Sequence, residues 1–185
     1  NQDPKKNNMK KQVLAKLFVP YLSKADINTA IEKMAATINA DYDGKKPLFI
    51  AILNGSFMFA SDLLKKIDIP VEISFIKLAS YKGTKSSGSV VTAIGLESDV
   101  FERDVIIIED IVDTGKTLSA FLPQLMHQQP RSLKICALLH KIEATKFPIQ
   151  IDYKGFEIPN LFVVGYGLDY NGYGRNLDQI MQIAE

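Results

Sequence analysis

Four short apolar runs decide most of what this chain can become: PLFIAIL (47–53), DVIIIED (104–110), SLKICALL (132–139) and LFVVGYG (161–167). A brief run with little polar alternation is the pattern of a strand covered on both faces. Between these runs the apolar period changes. Ile27, Ile31, Met34 and Ile38 recur at helical spacing behind Ser23, whose hydroxyl can accept from the first free amides of a helix. FMFASDLLKKI and TLSAFLPQLMHQ also have helical character, the second with Pro123 in its first turns or at a kink. VEISFIKLAS (71–80) and VVTAIGL read as further strands. Strands alternating with helices predict an α/β fold, a mostly parallel twisted sheet flanked by helices.

Sheets of that kind bind ligands beyond the carboxyl ends of their strands. Polar clusters follow the apolar runs at Asn54-Gly55-Ser56, at Glu109 to Thr117, at His140-Lys141 and around Asp169. All four are expected on one edge of the sheet. The polar, glycine-bearing YKGTKSSGS (81–89) reads as a mobile loop.

Bulk properties remove several classes of function. A length of 185 residues suits one domain, assigned to 12–185, with residues 1–11 (NQDPKKNNMKK) read as a disordered tail or as additions ahead of a start at Met9. That opening lacks the apolar core of a signal peptide. A net charge of +1 gives no basic surplus for non-specific nucleic-acid binding. The single cysteine, Cys136, lies in an apolar run and can form no internal disulfide, which fits a reducing compartment. No apolar run reaches the roughly 18 residues needed to span a membrane. A cytoplasmic protein is expected. His127, near a helix end, reads as a dipole partner and His140 as structural; neither has the neighbours of a metal site.

The chemistry concentrates in VIIIEDIVDTGKTL (105–118). Its Gly-Lys-Thr ending suggests a nucleoside-triphosphate loop, but that motif needs a glycine where this chain has Asp110, and a carboxylate there repels phosphate. Thr114, Gly115, Lys116 and Thr117 lie between a strand and a helix, where free amides, the helix dipole and hydroxyls suit a single phosphate. Glu109 and Asp110 are strong acceptors for a hydroxyl pair. A sugar diol beside a sugar phosphate satisfies both groups, and Asp113 between them faces whatever the sugar carries. A base placed there contributes about 10²- to 10⁴-fold in rate. The competing interpretation is an acidic loop that only caps the helix through Asp113 or Thr114. An acidic phospho-relay receiver fails on length and on the phosphate turn.

VIIIEDIVDTGKTL resembles the phosphoribosyl-diphosphate signature of type I phosphoribosyltransferases. LNGSFMFASDLL (53–64), SYKGTKSSG (80–88), LLHK (138–141) and GFEIPNLFVVGYGLDYNGYGRNL (155–177) resemble, in order, segments of the hypoxanthine-guanine phosphoribosyltransferases. The resemblance covers about residues 12–185, and the VVGYGLDYN run is what points to 6-oxopurine enzymes. It implies a phosphoribosyltransferase fold with a small hood from the N- and C-terminal segments. The implied activity is transfer from phosphoribosyl diphosphate to hypoxanthine or guanine with Mg²⁺, by a homodimer or homotetramer. A nucleotide-sensing regulatory protein on the same fold is the alternative.

The same resemblance implies roles. Glu109 and Asp110 would hold the ribose hydroxyls, Thr114, Gly115, Lys116 and Thr117 the 5′-phosphate, and Asp113 would be the base near purine N7. Lys141 would donate to the 6-oxo group, which favours an oxygen acceptor over the amino group of adenine. Phe162 would stack on the purine while the Val163 backbone reads its edge. Asp169 would ligate Mg²⁺, with Glu109 as a further ligand through water. Arg175 would contact pyrophosphate, and Ser80 and Tyr81 belong to the closing loop. Many relatives carry a basic residue where this chain has Asn54, so Gly55 and Ser56, Arg175 and Mg²⁺ carry more of the pyrophosphate contact. A cis peptide is expected between Asn54 and Gly55.

Overall fold

The computed structural model describes residues 10–82 and 89–184. The chain opens with β1 (Lys11–Val13) and β2 (Lys16–Leu22), then α1 (Lys24–Asp41), β3 (Leu48–Leu53) and α2 (Phe57–Leu64). It continues through β4 (Glu72–Lys82), β5 (Ser89–Ile94), β6 (Asp104–Val112), α3 (Lys116–His127) and β7 (Ser132–Lys141). Three strands follow, β8 (Tyr153–Ile158), β9 (Val163–Val164) and β10 (Ile180–Ile183). The expected tail at residues 1–9 lies outside the described residues, as do residues 83–88 of the expected loop; Lys11 already belongs to a strand.

The main sheet has the order β5-β4-β3-β6-β7-β8, and only β5 runs antiparallel to its neighbour. Apolar residues on both pleats explain how the sheet is covered. On β3, Phe49 and Ala51 pack with Ile27, Ile31 and Ile38 of α1 and Phe59 of α2. Leu48, Ile50 and Ile52 face Leu118, Phe121 and Leu125 of α3. Period-2 alternation thus feeds two separate cores from one strand. Truncating the fully buried Phe49 to alanine would cost about 3–5 kcal/mol.

Ser23 caps α1 as its position predicts: its hydroxyl accepts from Asp26 N–H at 3.1 Å, and the Asp26 carboxylate accepts from Ser23 N–H at 3.0 Å. Pro123 lies inside α3. The order of strands reverses direction at the β3/β6 boundary, since the chain steps from β3 out to β4 and returns on the other side as β6. A crevice opens at such a point beyond the carboxyl ends of the two strands. Glu109 to Thr117 and Asn54 to Ser56 border it.

The run LFVVGYG does not join the main sheet. Only Val163–Val164 is extended, as β9, in a second antiparallel sheet of order β1-β2-β10-β9. Gly165, Tyr166 and Gly167 all have positive φ (97, 50 and 98°), which ends the strand at once. The run is buried as expected, but as a tight reversal. Two glycines flanking a tyrosine were the signal for it. Val13, Phe18, Val164 and Met181 form a small core beneath this second sheet, which unites both terminal segments as the expected hood.

Candidate active site

Strand register brings the two central groups together. Val112 of β6 pairs with His140 of β7, so the residues that follow, Asp113 and Lys141, emerge side by side. The Lys141 ammonium donates to Asp113 Oδ2 at 3.3 Å. Lys141 is only 8% exposed, whereas half of the Asp113 side chain is open. A buried cation thus sits against a carboxylate that solvent or a ligand can reach.

Beyond Asp113 the chain turns into α3 through Gly115, the N-cap, at φ 78°. Neither Asp113 nor Thr114 holds the N-cap position, although Thr114 Oγ1 accepts from Lys116 N–H at 3.3 Å. A side chain at Gly115 would collide with the Phe147 carbonyl at 2.4 Å. The Thr114 carbonyl accepts from Lys146 N–H and Phe147 N–H at 3.1 and 3.0 Å. Carbonyl and amide point in opposite directions across a trans peptide. Anchoring the Thr114 carbonyl on the 146–147 backbone therefore turns the Gly115 amide the other way, toward a cavity of about 280 Å³. Glu109, Asp113, Thr114, Lys116 and Thr117 are among its lining residues. Free amides at a helix start, with hydroxyls and a lysine, make an anion seat sized for one phosphate.

Glu109 lines that cavity, and Asp110, the next residue of β6, has its carboxylate against Gly55. Burial, and next the charge of Asp110, hold the Glu109 carboxyl well above the usual carboxylate range. Burial also raises Asp110, offset by the bond from Ile111 N–H to Asp110 Oδ1 at 2.8 Å and by the charge of Arg175. Two desolvated acids of this kind are poised for a ligand rich in hydroxyl donors or for a cation.

Gly55 is what lets Asp110 sit there. A Cβ on Gly55 would lie 1.8 Å from Asp110 Oδ2, so the carboxylate occupies the space a side chain would need. The expected cis peptide is present one bond earlier than predicted, at Leu53–Asn54 instead of Asn54–Gly55. Ser56 is fully buried, its N–H facing the Ile52 carbonyl at 3.4 Å and its hydroxyl without a partner among the described residues.

The fourth expected cluster does reach this edge, through the hood and not through a main-sheet strand. A Cβ on Gly167 would stand 2.0 Å from the Gly55 carbonyl, so the two backbones touch. Arg175 donates to the Gly167 carbonyl at 2.7 Å and pairs with Asp169 Oδ1 at 3.0 Å. Asp169 Oδ2 accepts from Gly172 N–H at 2.7 Å. Tyr166 pins this segment to α2 by donating its hydroxyl to Asp62.

Phe162 is 45% exposed, with its ring 5.8 Å from Tyr170 at 87° and 6.2 Å from Phe18. Val163 is buried and paired with Gln182. An exposed aromatic face held by two further rings is a stacking platform. Ser80 and Tyr81 lie in β4, paired with Val91 and Val90 of β5. Reading the sequence alone missed Thr145 and Phe18, which act through long-range packing with no local pattern, and gave no role to Tyr166 or Tyr170 although both lie in the VVGYGLDYN run.

A helix-start turn suited to an anion, a carboxylate paired with a buried lysine and an exposed aromatic face, gathered at a sheet switch point, are the features of a protein that handles phosphorylated sugars. The chain belongs to the phosphoribosyltransferase family, whose phosphoribosyl transferase domain model matches residues 21–171. Its relatives narrow the branch. It is 42% identical over 164 residues to a hypoxanthine-guanine phosphoribosyltransferase of Streptococcus agalactiae, covering 88% of this chain and 91% of that one. A second, of Aquifex aeolicus, is 34% identical over 177 residues, covering 95% and 99%. Among solved structures, a hypoxanthine phosphoribosyltransferase of Staphylococcus aureus superposes with a TM-score of 0.84 at 38% identity, covering 100% and 97%. Within the family, the chain sits in the hypoxanthine-guanine branch.

Proposed function

We propose that this protein is a purine salvage enzyme that moves the 5-phosphoribosyl group from phosphoribosyl diphosphate to N9 of hypoxanthine or guanine. The anomeric carbon–oxygen bond to the diphosphate breaks and a carbon–nitrogen bond to the purine forms, releasing pyrophosphate and a nucleoside monophosphate. The ion pair of Lys141 with Asp113, 3.3 Å apart at the head of the phosphate turn, carries this reading. An adjacent donor and acceptor match a 6-oxo group beside a ring N–H. Lys141 polarises the oxygen, and Asp113 takes the proton from N7 as N9 attacks. Adenine, with an amino group at that position, offers Lys141 no acceptor.

Glu109 and Asp110 hold the ribose hydroxyls while residues 114–117 hold the 5′-phosphate, fixing the sugar for in-line approach. Phe162 stacks on the base and the Val163 backbone reads its edge. Gly55, Asn54 and Ser56 border the pyrophosphate, and Arg175 supplies charge there. Ser80 and Tyr81 lead into the segment that would close over the site and keep water from the anomeric carbon.

The donor set fits Mg²⁺ only in company with its substrate. No cluster of three or more protein ligands occurs among the described residues. Magnesium commonly takes one or two carboxylates plus substrate phosphates, a set that Asp169 and Glu109 (through water) can complete. When bound, the ion would neutralise and orient the leaving diphosphate. Asp169 must first exchange its pairing with Arg175. The reading places the enzyme in the cytoplasm as a homodimer or homotetramer, and no helix among the described residues is long and apolar enough to cross a membrane. The test is a panel of hypoxanthine, guanine, xanthine and adenine with phosphoribosyl diphosphate, with and without Mg²⁺. Nucleotide is expected from the 6-oxopurines in the presence of the metal; adenine as the preferred base would overturn the assignment.

A further inference from the structure

Thr145 lies outside every strand and helix and outside every motif that resembles the family. Its hydroxyl oxygen nevertheless stands 2.9 Å from the Asp113 carbonyl, 3.0 Å from the Lys141 carbonyl and 3.1 Å from His140 Nε2. A hydroxyl has one proton and two lone pairs. Its proton is shared by the two carbonyls, and the His140 ring nitrogen is the third polar atom within hydrogen-bond distance. Thr145 therefore touches the backbones of both residues that would meet the purine.

The neighbouring contacts extend this link to the phosphate. Lys146 and Phe147 hold the Thr114 carbonyl, while Thr145 holds that of Asp113. Two successive carbonyls are thus drawn to one side, and the amides of Thr114 and Gly115 are turned to the other, where the anion sits. Thr145 is only partly buried and its flanks, Ile142, Glu143 and Lys146, are exposed. Its removal would take little apolar surface from the core, so what the side chain contributes is the hydrogen bonding of its hydroxyl.

We infer that Thr145 is a positioning residue for phosphoribosyl transfer: its hydroxyl holds Asp113 in register with Lys141 and aims the amides of the phosphate turn at the ligand. The inference rests on the phosphoribosyl-transfer reading above. It is tested with Thr145→Val, Thr145→Ala and Thr145→Ser, titrated calorimetrically with ribose 5-phosphate and assayed at steady state with hypoxanthine. Losing the hydroxyl leaves two carbonyls without their shared donor. Thr145→Val and Thr145→Ala should each bind ribose 5-phosphate about tenfold more weakly and turn over about tenfold more slowly. Thr145→Ser, which keeps the hydroxyl, should match the wild type within about twofold.

A residue that merely supported the fold would lower the active fraction and the melting temperature while leaving the dissociation constant of the folded protein unchanged. Wild-type affinity in both hydroxyl-free variants would overturn the inference, and so would a serine variant as impaired as valine. If one hydroxyl-free variant does not fold, the other carries the comparison. A wild-type chain that makes no nucleotide would remove the transfer reading instead; ribose 5-phosphate binding would still judge the role of Thr145 at the phosphate turn.

Discussion

Replacing Gly55 by alanine should injure ribose binding through Asp110 alone. The three nearest atoms to a Cβ at this position all belong to the Asp110 side chain, at 1.8, 2.6 and 3.2 Å. Ordinary contacts need about 3.5 Å, so the nearest carboxylate oxygen must retreat by roughly 1.5–2 Å. That motion pulls on the bond from Ile111 N–H at 2.8 Å and takes the carboxylate off the sugar. A hydrogen bond to a charged group contributes about 1.5–3 kcal/mol, which corresponds to about 10- to 150-fold in affinity. Calorimetric titration with phosphoribosyl diphosphate and Mg²⁺ should show a loss in that range. Overpacking also lowers stability, by about 1–3 kcal/mol, so the titration is run well below the melting transition. The double mutant supplies the control: with Asp110→Ala already in place, Gly55→Ala should add little further loss. Losses that multiply, or wild-type affinity in Gly55→Ala, would refute the coupling of these two residues.

Three other outcomes are expected. Asp113→Asn should reduce turnover by about 10²- to 10⁴-fold while phosphoribosyl diphosphate binds nearly as before; near-normal turnover would take Asp113 out of the base role. Lys141→Met should raise the Michaelis constant for hypoxanthine by about tenfold or more, and an unchanged value would show that another group reads the 6-oxo oxygen. Glu109→Gln addresses pH. Burial and Asp110 push the Glu109 carboxyl above its ordinary value of 4.5, so the native state holds that proton more tightly than the unfolded chain does. Its contribution to stability is full below pH 4.5 and is lost as pH rises through the elevated folded value. Glu109→Gln should therefore raise the melting temperature at neutral pH, with a smaller gain near pH 4.5, while weakening phosphoribosyl diphosphate binding. An equal gain at both pH values would mean that ionisation of Glu109 is not the source.

Much of this site can be read in the sequence because the phosphate half is contiguous. Residues 109–117 leave one strand and enter one helix, and local chemistry assigns an anion seat, a diol seat and a base without any knowledge of packing. The strands β3, β6 and β7 were visible for a similar reason, since burial on both faces removes alternation. The apposition of Asp113 and Lys141 needed more: family likeness suggested roles for both, but only the Val112–His140 register makes them an ion pair. The LFVVGYG run shows where the pattern misleads. Its apolar character reported burial correctly, yet positive φ at three successive residues turned a predicted strand into the link between hood and sheet. Thr145 left no trace because one hydroxyl among irregular backbone has no periodicity.

The hood has a bearing on how the protein is made. Its strands pair residues 163–164 with 180–183, and those in turn with 16–22. The phosphate turn and its brace draw their hydrogen bonds from residues 113–147, whereas the second sheet needs residues 180–183. A nascent chain can thus make the contacts of the phosphate turn before the second sheet pairs. Mutations in β10 would then disturb the backbone that holds Phe162, whose carbonyl accepts from Ile183 N–H at 3.0 Å, before they disturb the phosphate turn.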